Sequence, residues 1–204
     1  TAFFDNISLV QDSALRISYD ENGNVSSLKV DNEDTYKYDY DDDGKLTQIL
    51  DANGVIVETY TYNENGDLVS VKDKDNKEIE SYTYDANGNM LTSVTEDSSS
   101  KYTYTAWGET TSSATTVTIN GVQKTMASES VYDSISRLLI SETDSLGNTT
   151  SYGYNADKWL TFIEDANGNQ TRYNYSFGKL TNEYNDADND GVLDEGEANI
   201  AYMY

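Results

Sequence analysis

Residues 82–91 read YTYDANGNML, a sequence typical of a strand, a tight turn and the start of a returning strand. Tyr82 and Tyr84 are two residues apart, so both rings project from the same face of a strand. Asp85 begins a turn in which its carboxylate can cap the backbone. Gly88 stands at the fourth turn position, where a left-handed residue closes a bulged hairpin. This stretch therefore predicts a β-hairpin.

Near-copies of this hairpin recur along the chain, so the sequence is a repeat array. The second tyrosine of each copy recurs every 20 to 22 residues, with two longer steps of 28 and 29 residues. The positions are Tyr40, Tyr62, Tyr84, Tyr104, Tyr132, Tyr154, Tyr175 and Tyr204. A single hairpin is too small to be stable alone, so neighbouring copies must stack. We expect the tyrosines to form a ladder of cross-strand contacts, each contributing about 0.2–1 kcal/mol.

A second turn of the same chemistry lies midway through most copies. It begins at Asp51, Asp73, Asp144 and Asp165, and residues 97–100 are a degraded version. The chain thus reverses direction every 10 to 12 residues, which leaves strands of about five to eight residues rich in Val, Thr, Ile and Tyr. No segment holds a helical apolar period. We predict an all-β fold, a long meander of antiparallel hairpins.

The composition excludes several classes of function. The chain has 204 residues, 18 tyrosines and a net charge of −24, which does not suit nucleic acid but does suit cations or basic partners. It has no cysteine or histidine, so disulfides, thiolate metal sites and the usual general base are excluded. No apolar run approaches the roughly 20 residues of a membrane helix. The start of the chain has no signal-type segment, which indicates a piece of a longer chain.

The repeat pattern divides the chain into six predicted segments. A lead-in or cap strand contains Phe3, Phe4, Ile7 and Leu9, and the longer spacing before Tyr132 predicts an insertion with a protruding hairpin at Asn120-Gly121. The predicted segments are 1–18 (lead-in), 19–109 (repeats), 110–131 (insertion), 132–184 (repeats), 185–198 (a metal loop within a hairpin) and 199–204 (the next repeat).

The metal loop carries the sharpest chemical motif of the sequence. Residues 186–197, DADNDGVLDEGE, fill every position of a twelve-residue EF-hand-type calcium loop. Carboxylates at alternate positions converge on one centre, a glycine makes the bend, and a main-chain carbonyl and a final glutamate complete the shell. The predicted ligands are Asp186, Asp188, Asp190, Val192, Asp194 and Glu197.

An oxygen-only ligand set of this kind favours Ca²⁺ over Mg²⁺, which is smaller and keeps several waters. The flanking residues 179–184 and 198–204 have strand character, so paired helices are not expected and the role of the ion would be structural. The alternative is an acidic, solvated loop without an ion. In either case the empty carboxylates repel one another, so calcium should order the segment.

The tandem pattern Tyr-x-Tyr-Asp-x-x-Gly-x-Leu, with Asp-x-x-Gly half a repeat later, resembles the YD repeats of RHS-repeat proteins. Residues 36–46 and 82–91 match closely, whereas Ser136 and Lys158 replace the turn glycine and the copy at 173–180 is one residue short. The resemblance implies a curved, spiralling antiparallel sheet or an open, barrel-like shell segment. In bacterial toxins and teneurins of this family the repeats build a hollow shell, which in many of the toxins encloses a C-terminal effector. It also implies a location outside the cell or on its surface.

These observations favour a structural scaffold segment with a calcium loop. Its expected partners are the rest of its own longer chain and an encapsulated effector. The alternative is an adhesion module that binds a surface glycan through Trp107 and Trp159. A glycosidase with a carboxylate pair is a third alternative. We do not expect an enzyme, because the acidic residues occupy turn positions where capping accounts for them.

Overall fold

The structure is a computed structural model that describes residues 15–30 and 33–203. Within these residues the chain forms seventeen β-strands and no helix, so the predicted all-β fold is confirmed. The described part accordingly contains no helix that is long and apolar enough to cross a membrane. The predicted cap residues Phe3, Phe4, Ile7 and Leu9, and the last tyrosine of the array, lie outside the described residues.

The first compact unit ends at Glu96 and contains eight strands. Each strand pairs antiparallel with the next in the chain, from β1 with β2 to β7 with β8. The strands are β1 Leu15–Tyr19, β2 Val25–Val30, β3 Glu33–Tyr40, β4 Leu46–Asp51, β5 Ile56–Tyr62, β6 Leu68–Asp73, β7 Glu78–Tyr84 and β8 Met90–Thr95.

The second compact unit begins at Asp97 and contains nine strands. Here too each strand pairs antiparallel with the next, from β9 with β10 to β16 with β17. The strands are β9 Ser98–Tyr104, β10 Thr110–Ile119, β11 Val122–Tyr132, β12 Leu139–Thr143, β13 Thr149–Tyr154, β14 Leu160–Glu164, β15 Gln170–Ser176, β16 Lys179–Asp186 and β17 Asn199–Ala201.

The turn at Asp85 shows how the aspartates close the hairpins. The Asp85 carboxylate accepts the backbone N–H groups of Asn87 at 2.8 Å and of Asn89 at 2.9 Å. The Gly88 N–H donates to the Asp85 carbonyl at 3.1 Å, and Gly88 takes a φ of 84°, a left-handed value that glycine adopts without strain. The same carboxylate contacts recur at Asp20, Asp41, Asp51, Asp73, Asp144 and Asp165.

Two turns lack the usual glycine, and a different residue takes the left-handed conformation in each. Lys158 stands at the glycine position and adopts the left-handed conformation itself, with a φ of 66°. The turn that begins at Asp133 is one residue longer, so the left-handed residue there is Arg137, with a φ of 63°, and not Ser136. The replacement predicted at Ser136 is therefore shifted by one position.

In three repeats of the first unit, the second tyrosine of the pair ties its hairpin to the preceding one. The Tyr84 hydroxyl donates to the Leu68 carbonyl at 2.8 Å. Tyr62 and Tyr40 make the same contact one and two repeats earlier, to the carbonyls of Leu46 at 2.8 Å and Val25 at 2.9 Å. Each acceptor begins a strand, so this recurring hydrogen bond links successive repeats along the first unit.

In two repeats of the first unit, the first tyrosine of the pair binds a carboxylate on its own strand. Tyr60 donates to Glu58 at 2.5 Å and Tyr82 donates to Glu80 at 2.6 Å. Burial, and after it the hydrogen bond to Glu80, raises the pKa of Tyr82. The phenol therefore stays protonated and keeps its role as a donor.

Burial in both units is shallow. Among the hydrophobic residues of the described part, Val71 and Tyr184 are fully buried, at 3% and 2% exposure, while most strand residues are half-buried. The fold therefore depends on cross-strand pairs and repeated hydrogen bonds between the strands of each unit.

Residues 110–132 form the two longest strands of the described part. β10 pairs with β9 through residues 110–117 and with β11 along most of its length. A two-residue loop, Asn120-Gly121, joins β10 to β11 with φ values of 51° and 76°. β12 pairs only with residues 129–132 of β11, so the tip of the hairpin extends past it.

Candidate calcium loop

The predicted calcium loop joins β16 to β17, which pair antiparallel through three residues. The chain leaves the sheet at Asp186, the last residue of β16, and returns at Asn199. A backbone hydrogen bond from the Asn185 N–H to the Ala198 carbonyl, at 3.1 Å, closes its base. Strands thus flank the loop on both sides.

Asp186 anchors the loop to the sheet. Its side chain is fully buried and accepts hydrogen bonds from the Gly191 N–H at 2.9 Å and from the Arg172 Nε–H. Burial raises the pKa of Asp186, but the Gly191 N–H and the Arg172 guanidinium outweigh it, so the pKa lies below its ordinary value. The first predicted ligand is therefore held ionised and in a fixed position.

Three predicted ligands come together in the structure. Carboxylate oxygens of Asp186, Asp188 and Asp190 all lie within 4.8 Å of one another, and Asp188 and Asp190 are exposed. The Asp190 N–H donates to Asp188 at 3.3 Å, and the Val192 N–H donates to Asp190 at 2.7 Å. The loop backbone thus turns these side chains toward a common region.

The negative charge of the clustered carboxylates raises the pKa of Asp194. Asp190 is the largest cause of the raised pKa of Asp194, followed by burial and then by Asp188. Coulomb repulsion of this kind is relieved when a cation binds between carboxylates. Asp194 is therefore electrostatically coupled to the three clustered carboxylates.

Glu197, the last predicted ligand, holds the two halves of the loop together. One of its oxygens accepts the Ala187 N–H at 2.7 Å and the other accepts the Asp194 N–H at 3.0 Å. Both oxygens are thus bound to backbone in this structure. Val192, the residue whose main-chain carbonyl is a predicted ligand, is 56% exposed.

Sequence reasoning missed three residues that position the loop. Arg172 lies on β15 and binds Asp186, and the buried Tyr184 donates to the Gly191 carbonyl at 3.1 Å. Asn189 donates to the Gly168 carbonyl at 2.9 Å, which ties the loop to the turn between β14 and β15. The one signal in the sequence that could have drawn attention to Arg172 is the scarcity of cationic residues, since the chain has only 13 Lys and Arg beside 37 Asp and Glu.

The two tryptophans of the glycan-binding alternative both contact other side chains of this protein. The Trp107 ring is half-buried and lies beneath the Arg137 guanidinium, 5.0 Å from the ring centroid. Trp159 packs against Tyr175 with ring centroids 5.1 Å apart. These contacts favour a packing role for both rings over a glycan-binding role.

Comparison of the sequence with known families supports the repeat interpretation. The RHS Repeat family matches three overlapping windows, residues 19–56, 40–78 and 62–100. The windows begin 21 and 22 residues apart, which is the spacing of the tyrosine hairpins. Residues 19–100 match the RHS Repeat family. The resemblance predicted from the tyrosine motif is thereby confirmed. A separate search of curated proteins found no match.

Solved structures with a similar fold cover most of the chain. The crystal structure of TcdB2-TccC3-Cdc42 is 16% identical, with a TM-score of 0.51 over 84% of this chain and 11% of that chain. A structure of the Photorhabdus luminescens Tc holotoxin pore is also 16% identical, with a TM-score of 0.51 over 93% of this chain and 12% of that chain. This chain therefore spans only a small part of those chains, and the likeness is one of fold.

Proposed function

We propose that this chain is a structural segment of a larger RHS-repeat protein and forms part of the wall of a β-shell. The observation that carries the proposal is the repeated hydrogen bond from the second tyrosine to the start of an earlier strand, made by Tyr40, Tyr62 and Tyr84. It gives three successive repeats of the first unit the same link to the preceding hairpin, as a wall built by addition of units requires.

The use of the acidic residues supports a structural role and not a catalytic one. The turn aspartates accept backbone N–H groups of their own turns, as Asp51 does from Asn53 and Val55. A carboxylate engaged in this way has a stabilising task that explains its presence. The proposal therefore assigns no catalytic step to the described residues.

A structural Ca²⁺ ion bound in the loop is the second part of the proposal. Asp186, Asp188 and Asp190 would supply clustered carboxylates, with Asp194 beside them. The Val192 carbonyl and the Glu197 carboxylate complete the proposed ligand set. An ion of this charge would offset the mutual repulsion of the carboxylates and fix the loop against β15 and β16.

The partners that we propose are the rest of a longer RHS chain and an effector enclosed by the shell. The small share of the fold neighbours that this chain covers supports a place within a larger protein. One of those neighbours is described as a holotoxin pore, which supports a location outside the producing cell or on its surface.

The scaffold proposal is tested by electron cryomicroscopy of a longer chain that contains this segment. The expected result is a continuous β-wall in which residues 15–203 occupy consecutive strands. A structure in which this segment forms a separate domain outside any wall would overturn the scaffold proposal, whatever the state of the loop.

The calcium part is tested by thermal unfolding with added Ca²⁺ and with a chelator. Ca²⁺ should raise the melting temperature of the wild type and slow proteolysis within residues 185–197. The variant Asp188→Asn/Asp190→Asn should lose both effects. Asp42→Asn/Glu64→Gln removes the same charge from exposed turn positions in the first unit and should keep both effects. An unchanged melting temperature and proteolysis rate in the wild type would remove the calcium proposal.

A further inference from the structure

The sequence contains six Asn-Gly pairs, and five of them share one backbone environment. They are Asn22-Gly23, Asn53-Gly54, Asn65-Gly66, Asn87-Gly88, Asn120-Gly121 and Asn167-Gly168. In all of these except Asn120-Gly121, the glycine N–H donates a hydrogen bond of 3.0–3.1 Å to the carbonyl of the first turn residue. These five glycine nitrogens are therefore engaged within their turns.

Asn120-Gly121 is built differently. The pair is the complete loop between β10 and β11, closed by Ile119 opposite Val122. Both loop residues have positive φ values, as in the tight two-residue turns of β-hairpins. Within the described residues the Gly121 N–H donates no hydrogen bond, and both residues of the pair are exposed. This glycine nitrogen is thus not engaged within its turn and lies in an exposed loop.

The charge beside the Asn120-Gly121 pair also differs from that beside other Asn-Gly pairs, in a way that favours loss of the glycine amide proton. At Asn87-Gly88 the Asp85 carboxylate accepts the Asn87 N–H, so a negative charge lies beside the turn backbone. Asp20, Asp51 and Asp165 do the same in three other turns. A nearby negative charge opposes deprotonation of a backbone amide. The Asn120-Gly121 loop has no such carboxylate within it.

We propose that Asn120 is a site of spontaneous deamidation, faster than the other five Asn-Gly sites of the folded protein. The deprotonated Gly121 nitrogen attacks Cγ of Asn120, a new N–Cγ bond forms, and the Cγ–Nδ2 bond breaks. The Nδ2 amino group takes up one proton, equivalent to the one that the Gly121 nitrogen gave up to base, and leaves as ammonia. Water then opens the cyclic imide at Cγ to give aspartate, or at the main-chain carbonyl to give isoaspartate.

The products change the hairpin tip in two ways. Both add one negative charge to a chain that already carries a net charge of −24. Isoaspartate also inserts a methylene into the main chain of a two-residue loop, so Ile119 and Val122 no longer close the loop in the same geometry. The modification therefore loosens the end of the β10–β11 hairpin.

The test is a site-resolved measurement of deamidation in the intact chain. The protein is incubated in mildly alkaline buffer made with ¹⁸O water, digested with trypsin and analysed by mass spectrometry. The peptide between Lys101 and Lys124 contains Asn120 and no other Asn-Gly pair. We expect Asn120 to react about two- to tenfold faster than Asn53, Asn87 or Asn167, the factor that corresponds to breaking one backbone hydrogen bond before attack.

A denatured sample separates the effect of structure from that of local sequence. In concentrated urea the six sites should react at similar rates, because the turn hydrogen bonds are lost. Asn120→Gln should abolish the fast phase of ammonia release, whereas Asn87→Gln should leave it unchanged. Equal rates at all six sites of the folded wild type, or a rate at Asn120 below the other five, would overturn the proposal.

Discussion

Arg172 donates through Nε to the carboxylate of Asp186, the residue at which β16 ends and the candidate calcium loop begins. The guanidinium is mostly buried, with its side chain 22% exposed, and lies over the Phe162 ring, 5.5 Å from the centroid. It places a positive charge beside the first predicted calcium ligand. Strand β15 thus supplies a cation that partly balances the carboxylates of the loop.

Arg172→Met should lower stability in a chelator and increase the response to Ca²⁺. The substitution leaves the buried Asp186 carboxylate without its cation, a situation that is costly in protein interiors. Added Ca²⁺ would then supply the missing positive charge, so the rise in melting temperature should be larger than in the wild type. The measurement is thermal unfolding with and without Ca²⁺.

Arg137→Met is the matched control for this prediction. Arg137 also covers an aromatic ring, that of Trp107, but it lies outside the loop. Its removal should leave the calcium-induced rise in melting temperature at the wild-type value. The same calcium response in Arg172→Met and in the wild type would contradict the role assigned to Arg172.

Glu197→Gln should weaken the loop even without calcium. The two Glu197 oxygens accept the N–H groups of Ala187 and Asp194, and glutamine keeps only one of these acceptors. We expect a loss of roughly 1 kcal/mol in the free energy of unfolding and faster proteolysis within residues 187–197. Glu195→Gln removes the same charge two residues away and should leave both quantities near the wild-type values. Equal proteolysis of the two variants would count against this prediction.

The hairpins were predictable because their determinants are local. Asp85 and Gly88 are three residues apart, and the turn they form depends on backbone contacts within a few residues. The sequence also placed Asp186, Asp188 and Asp190 together, since alternate positions of such a loop face one centre. Local spacing was sufficient for both features.

The contacts that position the loop depend instead on strand register. Arg172 reaches Asp186 because β15 and β16 pair with Arg172 opposite Tyr184, two residues before the loop begins. A shift of one residue in this pairing would turn Arg172 to the other face. Register is set by the whole hairpin, including its short Phe177-Gly178 loop, and no single motif reveals it.

The glycine position predicted at Ser136 was wrong for a related reason, because that turn holds one extra residue.

Tyr84→Phe should destabilise the first unit through the loss of one hydrogen bond. The Leu68 carbonyl loses its 2.8 Å donor, and we expect the free energy of unfolding to fall by about 0.5–1.5 kcal/mol. Urea unfolding followed by tyrosine fluorescence measures the change.

Thr83→Ser is the matched control. Thr83 lies between the two tyrosines on the other face of β7, and the serine keeps the hydroxyl that contacts Thr92. It should cost less than Tyr84→Phe. A Tyr84→Phe variant as stable as the wild type would show that the recurring tyrosine contact does not hold the repeats together.

Asp85→Asn isolates the contribution of charge to a turn. Asparagine can accept the same N–H groups, as Asn63 does from Asn65 at 3.0 Å and from Asp67 at 2.9 Å, so the substitution keeps the geometry and removes ionisation. In the wild type, the hydrogen bond from the Asn89 side chain, together with backbone N–H groups, lowers the pKa of Asp85. The folded state therefore favours the ionised form.

The wild type should accordingly exceed Asp85→Asn in stability at neutral pH, and the difference should vanish in acid. A carboxylate whose pKa is lowered by folding contributes its full stabilisation above the unfolded value of about 3.9 and loses it as the pH falls through the folded value. Urea unfolding of both proteins at a series of pH values measures this difference. Acid also relieves the repulsion within a chain of net charge −24, but that effect is nearly the same in both proteins and cancels in the comparison. A difference that stayed constant from neutral pH into acid would show that the turn depends on Asp85 for its shape and not for its charge.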